Sequence, residues 1–319
     1  MELHLNLLKR VNLFRIFFIF LIGLFYSACN QPQKTYLHEF VSFKEVNGIY
    51  FTEVHRRSAN GLSFDKYGFQ QEPQWRMRFL SDDSVSIYSP DKKRYLNFLL
   101  SRGYDSVFNT ARAWLKMKKI SKDSLVFQLL SAKNNELDTR GEDVYMTLYA
   151  DNYIKNVLHT TPEILQRPTR KDSLFIKSLV DKATKNHDST FAARNPVEFV
   201  SATTLIQVAQ RKSVPDFLAN NFNVSADYFD PVYDITINNT SRNFFYTFTI
   251  IVDQTGKMHY GKPLVSFLDD KDMEASYIKN STLIMEGYLA KYLHVKPGST
   301  LGMPHASRIT VNIKGVPQK

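Results

Sequence analysis

Between Tyr36 and Ile154 apolar and polar residues alternate with a period of two, and that period commits the stretch to strands with one buried face. Trp75, Met77 and Phe79 alternate with Arg76 and Arg78, Ser81-Asp82-Asp83 supplies a turn, and Val85 and Ile87 return between Ser84 and Ser86. Ala113, Leu115 and Met117 alternate with Arg112, Trp114, Lys116 and Lys118, then Ser121-Lys122-Asp123 turns the chain and Leu125, Phe127 and Leu129 bring it back. In a last run, Val144, Met146 and Leu148 share one face and Tyr145, Thr147 and Tyr149 the other. Hairpins of this kind predict an antiparallel sheet, curled or closed to protect its edges.

Gly48-Ile49-Tyr50 opens this region and resembles the glycine-x-aromatic start of lipocalin-like barrels. The resemblance implies a barrel with a cavity for an apolar ligand. A sheet packed solidly by its own aromatics is the competing expectation, because small barrels fill themselves at least as readily.

From Lys155 to about Asp230 the pattern turns helical. Asp172 is placed to cap a helix whose Leu174, Phe175, Ser178, Leu179 and Ala183 form a stripe. Asn195-Pro196-Val197-Glu198 combines a cap residue, an early proline and an acid. It predicts a second helix with Val197, Val200, Thr204 and Val208 on one face, ended at Pro215.

The last segment returns to strands. Phe244, Tyr246, Phe248, Ile250 and Val252 alternate with Phe245, Thr247, Thr249 and Ile251, Asp253-Gln254-Thr255-Gly256 turns the chain, and Lys257 to Tyr260 begins the return. Asp269, Asp270 and Asp272 suit a helix amino terminus, and Tyr277, Leu283, Ile284, Tyr288 and Tyr292 follow to cover a sheet before Pro297 stops the helix. Ile309, Val311 and Ile313 then mark a final strand over Ser307 to Ile313. The order of strand, Val252-Asp253-Gln254-Thr255-Gly256 turn, strand, helix, Lys296-Pro297, Gly302-Met303-Pro304 and strand resembles the carboxy-terminal domain of TonB, over roughly Pro231 to Val316. That resemblance implies an α+β domain whose sheet edge can take a strand from an envelope partner.

The amino terminus places Lys9, Arg10 and Arg15 before an uncharged run from Ile16 to Tyr26, eleven residues long. A bilayer core needs about 20 apolar residues, so the run fits a secretory signal instead. Ser27, Ala28 and Cys29 follow, and Tyr26-Ser27-Ala28-Cys29 resembles the cleavage and lipidation site of bacterial lipoproteins. The resemblance implies acylation of Cys29, a tether over 29–35 and membrane attachment through the amino-terminal lipid. Position 30 is asparagine rather than the aspartate that retains lipoproteins in the inner membrane, so the implied location is the outer membrane, facing the periplasm.

Cys29 is the sole cysteine, which excludes an intrachain disulfide and any cluster needing two thiolates. The sequence carries no HExxH, GxSxG, phosphate loop or GxGxxG, so no catalytic residue, cofactor or metal is assigned. His259, His294 and His305 are the trio to watch for convergence on a metal, although surface or loop positions are the simpler expectation. Asp82-Asp83 and Asp269-Asp270 read as turn and helix-start residues.

Forty-one basic against 31 acidic residues give +10, and removal of 1–28 leaves 38 against 30, or +8. Lys92, Lys93, Arg94, Lys116, Lys118 and Lys119, near Tyr95 and Trp114, suit anionic headgroups or acidic envelope polymers, and nucleic acid is not an expected partner. The expected organisation is α+β: a signal peptide at 1–28, a tether at 29–35, a β-rich sandwich or barrel-like domain at 36–154, a helical connector at 155–230 and a TonB-like domain at 231–319. The expected function is a non-enzymatic interaction or ligand-binding module of the envelope. An envelope hydrolase with residues drawn from distant positions is the alternative.

Overall fold

A computed structural model describes residues 40–133, 136–138, 144–213 and 225–318. It is mostly β, with few helices. After a single 3-10 turn at Lys44–Val46 come β1 (Tyr50–Ser58), β2 (Arg76–Ser81), β3 (Ser84–Ser89), β4 (Arg94–Leu99), β5 (Ser101–Arg102), β6 (Val107–Thr110), β7 (Ala113–Ile120), β8 (Ser124–Lys133), β9 (Glu136–Asp138) and β10 (Val144–Ala150). Their pairing runs β4-β3-β2-β1-β10-β8-β7-β6-β5, with β9 on β8, and every pair is antiparallel.

The two ends of that order are one piece of chain. β4 pairs with β3, β5 pairs with β6, and only Leu100 separates β4 from β5. The sheet therefore curls until its ends share a strand, which is barrel closure by the lower half of 94–102. The expected hairpins are present, with turns at Asp82-Asp83 and at Ser121 to Asp123. Met77, Phe79, Leu115, Met117, Leu125, Phe127, Met146 and Leu148 all lie in one buried cluster inside the ring.

Phe43, carried by the 3-10 turn, closes the lower end. Its ring stacks on Phe79 at 4.0 Å and meets Phe108 edge-on at 5.3 Å, and Phe108 meets Phe127 at 5.5 Å. Asp82 fixes this lid, since its carboxylate accepts the Phe43 N–H at 2.6 Å and pairs with Arg102 at 3.4 Å.

Helices α1 (Asp151–Asn156), α2 (Pro162–Leu165) and α3 (Arg170–Lys185) follow the barrel. Asp172 does not cap α3. Thr169 is the cap, and Asp172 is the third helical residue of a capping box, so the predicted start moves back by three. The predicted second helix is absent: Glu198–Ser201 is β11 and Ile206–Gln210 is β12. Tertiary pairing overrides the cap signal, because the Asn195 N–H bonds the Ser299 carbonyl, and β11 and β12 find partner strands in the sheets described next.

A short helical turn at Ala226–Phe229 precedes β13 (Val232–Thr240), β14 (Phe244–Val252) and β15 (Met258–Pro263). Then come α4 (Lys271–Leu283), a π-helical segment (Ile284–Leu289), a last turn (Ala290–Tyr292), β16 (Leu293–Lys296), β17 (Ser299–Thr300), β18 (Met303–Pro304) and β19 (Ser307–Pro317). Asp270 caps α4 by accepting from the Met273 N–H. The second sheet has the order β12-β13-β19-β14-β15, with β13 and β19 parallel, and β11 pairs with β16 beside it.

Tyr233, Ile235, Phe248, Ile250, Val252, Ile309, Val311 and Ile313 form one face of this sheet, covered by Met285 and Leu289. Leu283, expected to cover it, is 61% exposed. The π-helical segment advances the register, so the buried pair becomes Met285 and Leu289. Gly256 (φ +88) closes the β14–β15 turn, where a Cβ would stand 2.4 Å from the Val295 carbonyl oxygen. Only glycine fits there.

Helix α3 joins the two sheets. Ile176 and Ala183 pack with Phe64 from the β1–β2 loop, with Ile251 of β14 and with Ala306 just before β19. Asp172, fully buried, accepts from the Ser63 N–H at 2.8 Å, the Thr169 N–H at 2.7 Å and Arg57 Nη1 at 2.9 Å. Burial alone would raise its pKa, but these hydrogen bonds outweigh burial and hold the carboxyl at about 2. Arg194 of the connecting chain reaches back to Gln70 and Glu72.

Candidate functional site

The inner wall of the barrel carries one charged pair that simple alternation does not predict. In a regular strand, residues three apart face opposite ways. A bulge in β1 between Glu53 and His55 changes that, leaving Glu53 opposite Leu148 and Arg56 opposite Met146, both of which belong to the interior. Arg56 donates Nε to Glu53 Oε1 and Nη2 to Oε2, each at 2.8 Å. The Gln74 and Trp75 N–H groups also donate to Oε2, at 2.8 and 2.9 Å.

Glu53 is 0% exposed and its charge is met by four donors, as burial of a carboxylate requires. The Arg56 side chain is 16% exposed, and two of its five N–H bonds are used on Glu53. Gln166, following α2, holds the bulge from outside by donating to the Glu53 carbonyl at 2.8 Å.

The barrel interior is fully buried below and partly exposed above. The lower half holds the Phe43, Phe79, Phe108 and Phe127 rings. Higher up, Trp75, Ala113 and Leu129 pack on the core yet keep partial exposure. The cause is a short hairpin. β6 ends at Thr110 and β7 begins at Ala113, so among the described residues the upper part of β4 has no partner on that side. The last link is a side-chain one, Thr110 Oγ1 donating to the Leu99 carbonyl at 3.0 Å. The arrangement can admit an apolar group and offer it one guanidinium.

The other sites expected from sequence stand as follows. Cys29 lies outside the described residues. His259, His294 and His305 do not converge. His259 Nε2 lies 2.9 Å from Asp253 and its ring 4.5 Å from His187, whereas His294 is exposed on β16. His305 is fully buried, stacked on Phe191 at 3.8 Å with Thr300 at 3.0 Å from Nε2, and burial lowers its pKa to about 4. Burial raises Asp253, but bonds from His259, Thr255 and Lys257 outweigh it and hold the carboxyl at about 2.

Among the described residues, no three His, Cys, Asp or Glu side chains are placed to hold a metal ion, and no helix is long and apolar enough to cross a membrane. The Glu53–Arg56 pair was hidden from pattern reading because a bulge leaves no mark in alternation. Its only signal is an acid and a base three residues apart in one strand, Glu53 and Arg56.

No family model matches the sequence. Cytochrome P450 52A12 of Debaryomyces hansenii is 24% identical over 139 residues, 42% of this chain and 26% of that protein. The chain thus spans about a quarter of that relative's length, and the likeness does not show a shared family. Among solved structures, the siderocalin Ex-FABP, described as functioning through dual ligand specificities, is similar at 14% identity over 43% of this chain and 82% of its own, with a TM-score of 0.21. That score is too low to carry an argument about this chain.

Proposed function

We propose that this chain is a lipid-anchored lipoprotein of the cell envelope, facing the periplasm from the outer membrane, and that it works as a binding protein and not as an enzyme. The anchor rests on the sequence alone: a basic start, a short apolar run and Ser27-Ala28-Cys29. Several acyl chains, at about 0.8 kcal/mol per buried CH₂, hold such a protein stably. Replacing Cys29 with alanine abolishes fatty-acid labelling, and labelling that persists removes the anchor.

One observation carries the binding role: the upper barrel interior is partly exposed, apolar and supplied with the guanidinium of Arg56. It suits an apolar or amphipathic small molecule with a hydrogen-bond acceptor. The test uses the two tryptophans, Trp75 facing the interior and Trp114 outside. In a Trp114→Phe variant, N-phenyl-1-naphthylamine is expected to show saturable energy transfer from Trp75. Transfer that rises linearly without saturation would mean no site.

The C-terminal segment is assigned as TonB-like. Its support is the chain order β14, Asp253 to Gly256 turn, β15, helix and β19, with β19 lying antiparallel beside β14. A partner strand would extend this sheet at β12 or β15, its outer strands. A pull-down from envelope extracts with the full chain, compared with a variant carrying proline in β15, tests that contact.

A further inference from the structure

The open seam of the barrel is itself an edge. Among the described residues, 94 to 98 of β4 pair with β3 on one side only. The Leu100 N–H bonds the Asp83 carbonyl on the β3 side, while the Leu99 carbonyl accepts from Thr110 on the other. Backbone direction alternates along an antiparallel strand, so the N–H and C=O of Tyr95 and Asn97 point away from β3 into the seam. Exposed edges of this kind are templates for another strand.

Two features say what kind of strand fits. Leu96 and Phe98 face the interior and are only partly buried, so a strand lying about 4.8 Å beyond β4 would bring alternate apolar side chains into the gap above the β6–β7 hairpin. At the upper end of β4, Lys92, Lys93 and Arg94 are exposed, and Arg76 and Arg78 stand behind them on the outer wall. Among the described residues none of these five cations lies within ion-pair distance of a carboxylate, and Arg78 Nε is buried without a partner. Arg78 and Arg76 instead sit over the Tyr50 and Tyr88 rings at 4.7 and 5.4 Å. Their field favours a negatively charged segment.

We infer that β4 accepts an extended segment of a partner protein, alternating in apolar residues and acidic at the end beside Lys92, Lys93 and Arg94. The added strand completes the barrel wall, so it is separate from a small molecule in the interior.

The probe is the blocked peptide Thr-Val-Thr-Val-Thr-Val-Asp-Asp, whose antiparallel pairing sets its acidic end beside Lys92, Lys93 and Arg94, titrated into the full chain in detergent and followed by amide hydrogen exchange. The expected result is binding with slowed exchange at Tyr95 and Asn97. A Lys-Lys version of the peptide binds at least fivefold more weakly, and Asn97→Pro, which removes an outward N–H but leaves the β3 ladder, weakens the acidic peptide at least tenfold. Binding without protection of those two amides, or equal affinity for both peptides, overturns the inference. So does protection that rises with protein concentration when no peptide is present, which would mean pairing between two copies. Exchange in the unmodified chain decides the matter even if Asn97→Pro fails to fold, and N-phenyl-1-naphthylamine binding in the same samples reports the interior separately.

Discussion

The barrel and the C-terminal sheet are built from similarly alternating strands, and they hide their apolar faces by different means. The C-terminal sheet stays open and relies on the helical run through Met285 and Leu289 to cover one face, while the other is covered in part by α3 at Ile251 and otherwise faces solvent. On that solvated face the polar groups bond to one another, with Asn312 Nδ2 donating to Asp234 at 2.9 Å and Arg211 pairing with the same carboxylate at 2.7 Å. The barrel instead covers its apolar face with itself. Its charged pair, Glu53 and Arg56, is therefore inside, where each charge depends on the other. A helix-covered sheet can be buried to the end, whereas a barrel closed by half a strand leaves Trp75, Ala113 and Leu129 partly exposed at one end.

The sharpest way to break this contrast is to remove the barrel's lid. Phe43→Ala should cost about 3–5 kcal/mol, the usual loss for a fully buried phenylalanine, read as a lower urea midpoint. Next comes the junction. Asp172→Ala removes the carboxylate that joins Arg57, Ser63 and Thr169, and the loss of a buried partner should cost about 3 kcal/mol. Its extra consequence is that the barrel and the C-terminal sheet should melt as two transitions in calorimetry instead of one.

The pH response sharpens the comparison from the other side. His305, whose folded pKa lies at about 4, below its ordinary 6.5, is neutral in the folded chain while the unfolded chain takes up a proton. Its contribution is intact above pH 6.5 and is lost as pH falls toward 4, with a slope of roughly 1.4 kcal/mol per pH unit. Asp172 and Asp253, held at about 2, add stability present above their ordinary 3.8 and lost as pH falls through 2. Chemical denaturation at stepped pH should therefore show a first decline below 6.5 that His305→Gln flattens. The smallest effect is at the surface. Lys296→Ala breaks an exposed pair with Glu198 and should change stability by less than about 0.5 kcal/mol.

Strands whose two faces differ in polarity were legible in the sequence. The hairpins around Asp82-Asp83 and Ser121 to Asp123, and the long strand from Phe244 to Val252, carry alternation and brackets of turn residues. Val197 to Val208 was not legible, because its β-branched residues fit a helical stripe and a strand equally, and distant partners in β13 and β16 decide between them. Leu283 was misplaced by a local π-helical turn. The site was the least legible part, since the Glu53–Arg56 pair depends on a bulge and the seam depends on a hairpin too short to cover β4.

The central claim is that the upper barrel interior is unfilled and receives a ligand. Ala113→Phe tests it most directly, because Ala113 faces that space from the top of β7. If the space is open, the larger ring is accommodated with no loss of stability and N-phenyl-1-naphthylamine no longer binds. If the interior is already packed, the same change overpacks it and costs about 1–3 kcal/mol, and probe transfer from Trp75 is the same with and without the substitution.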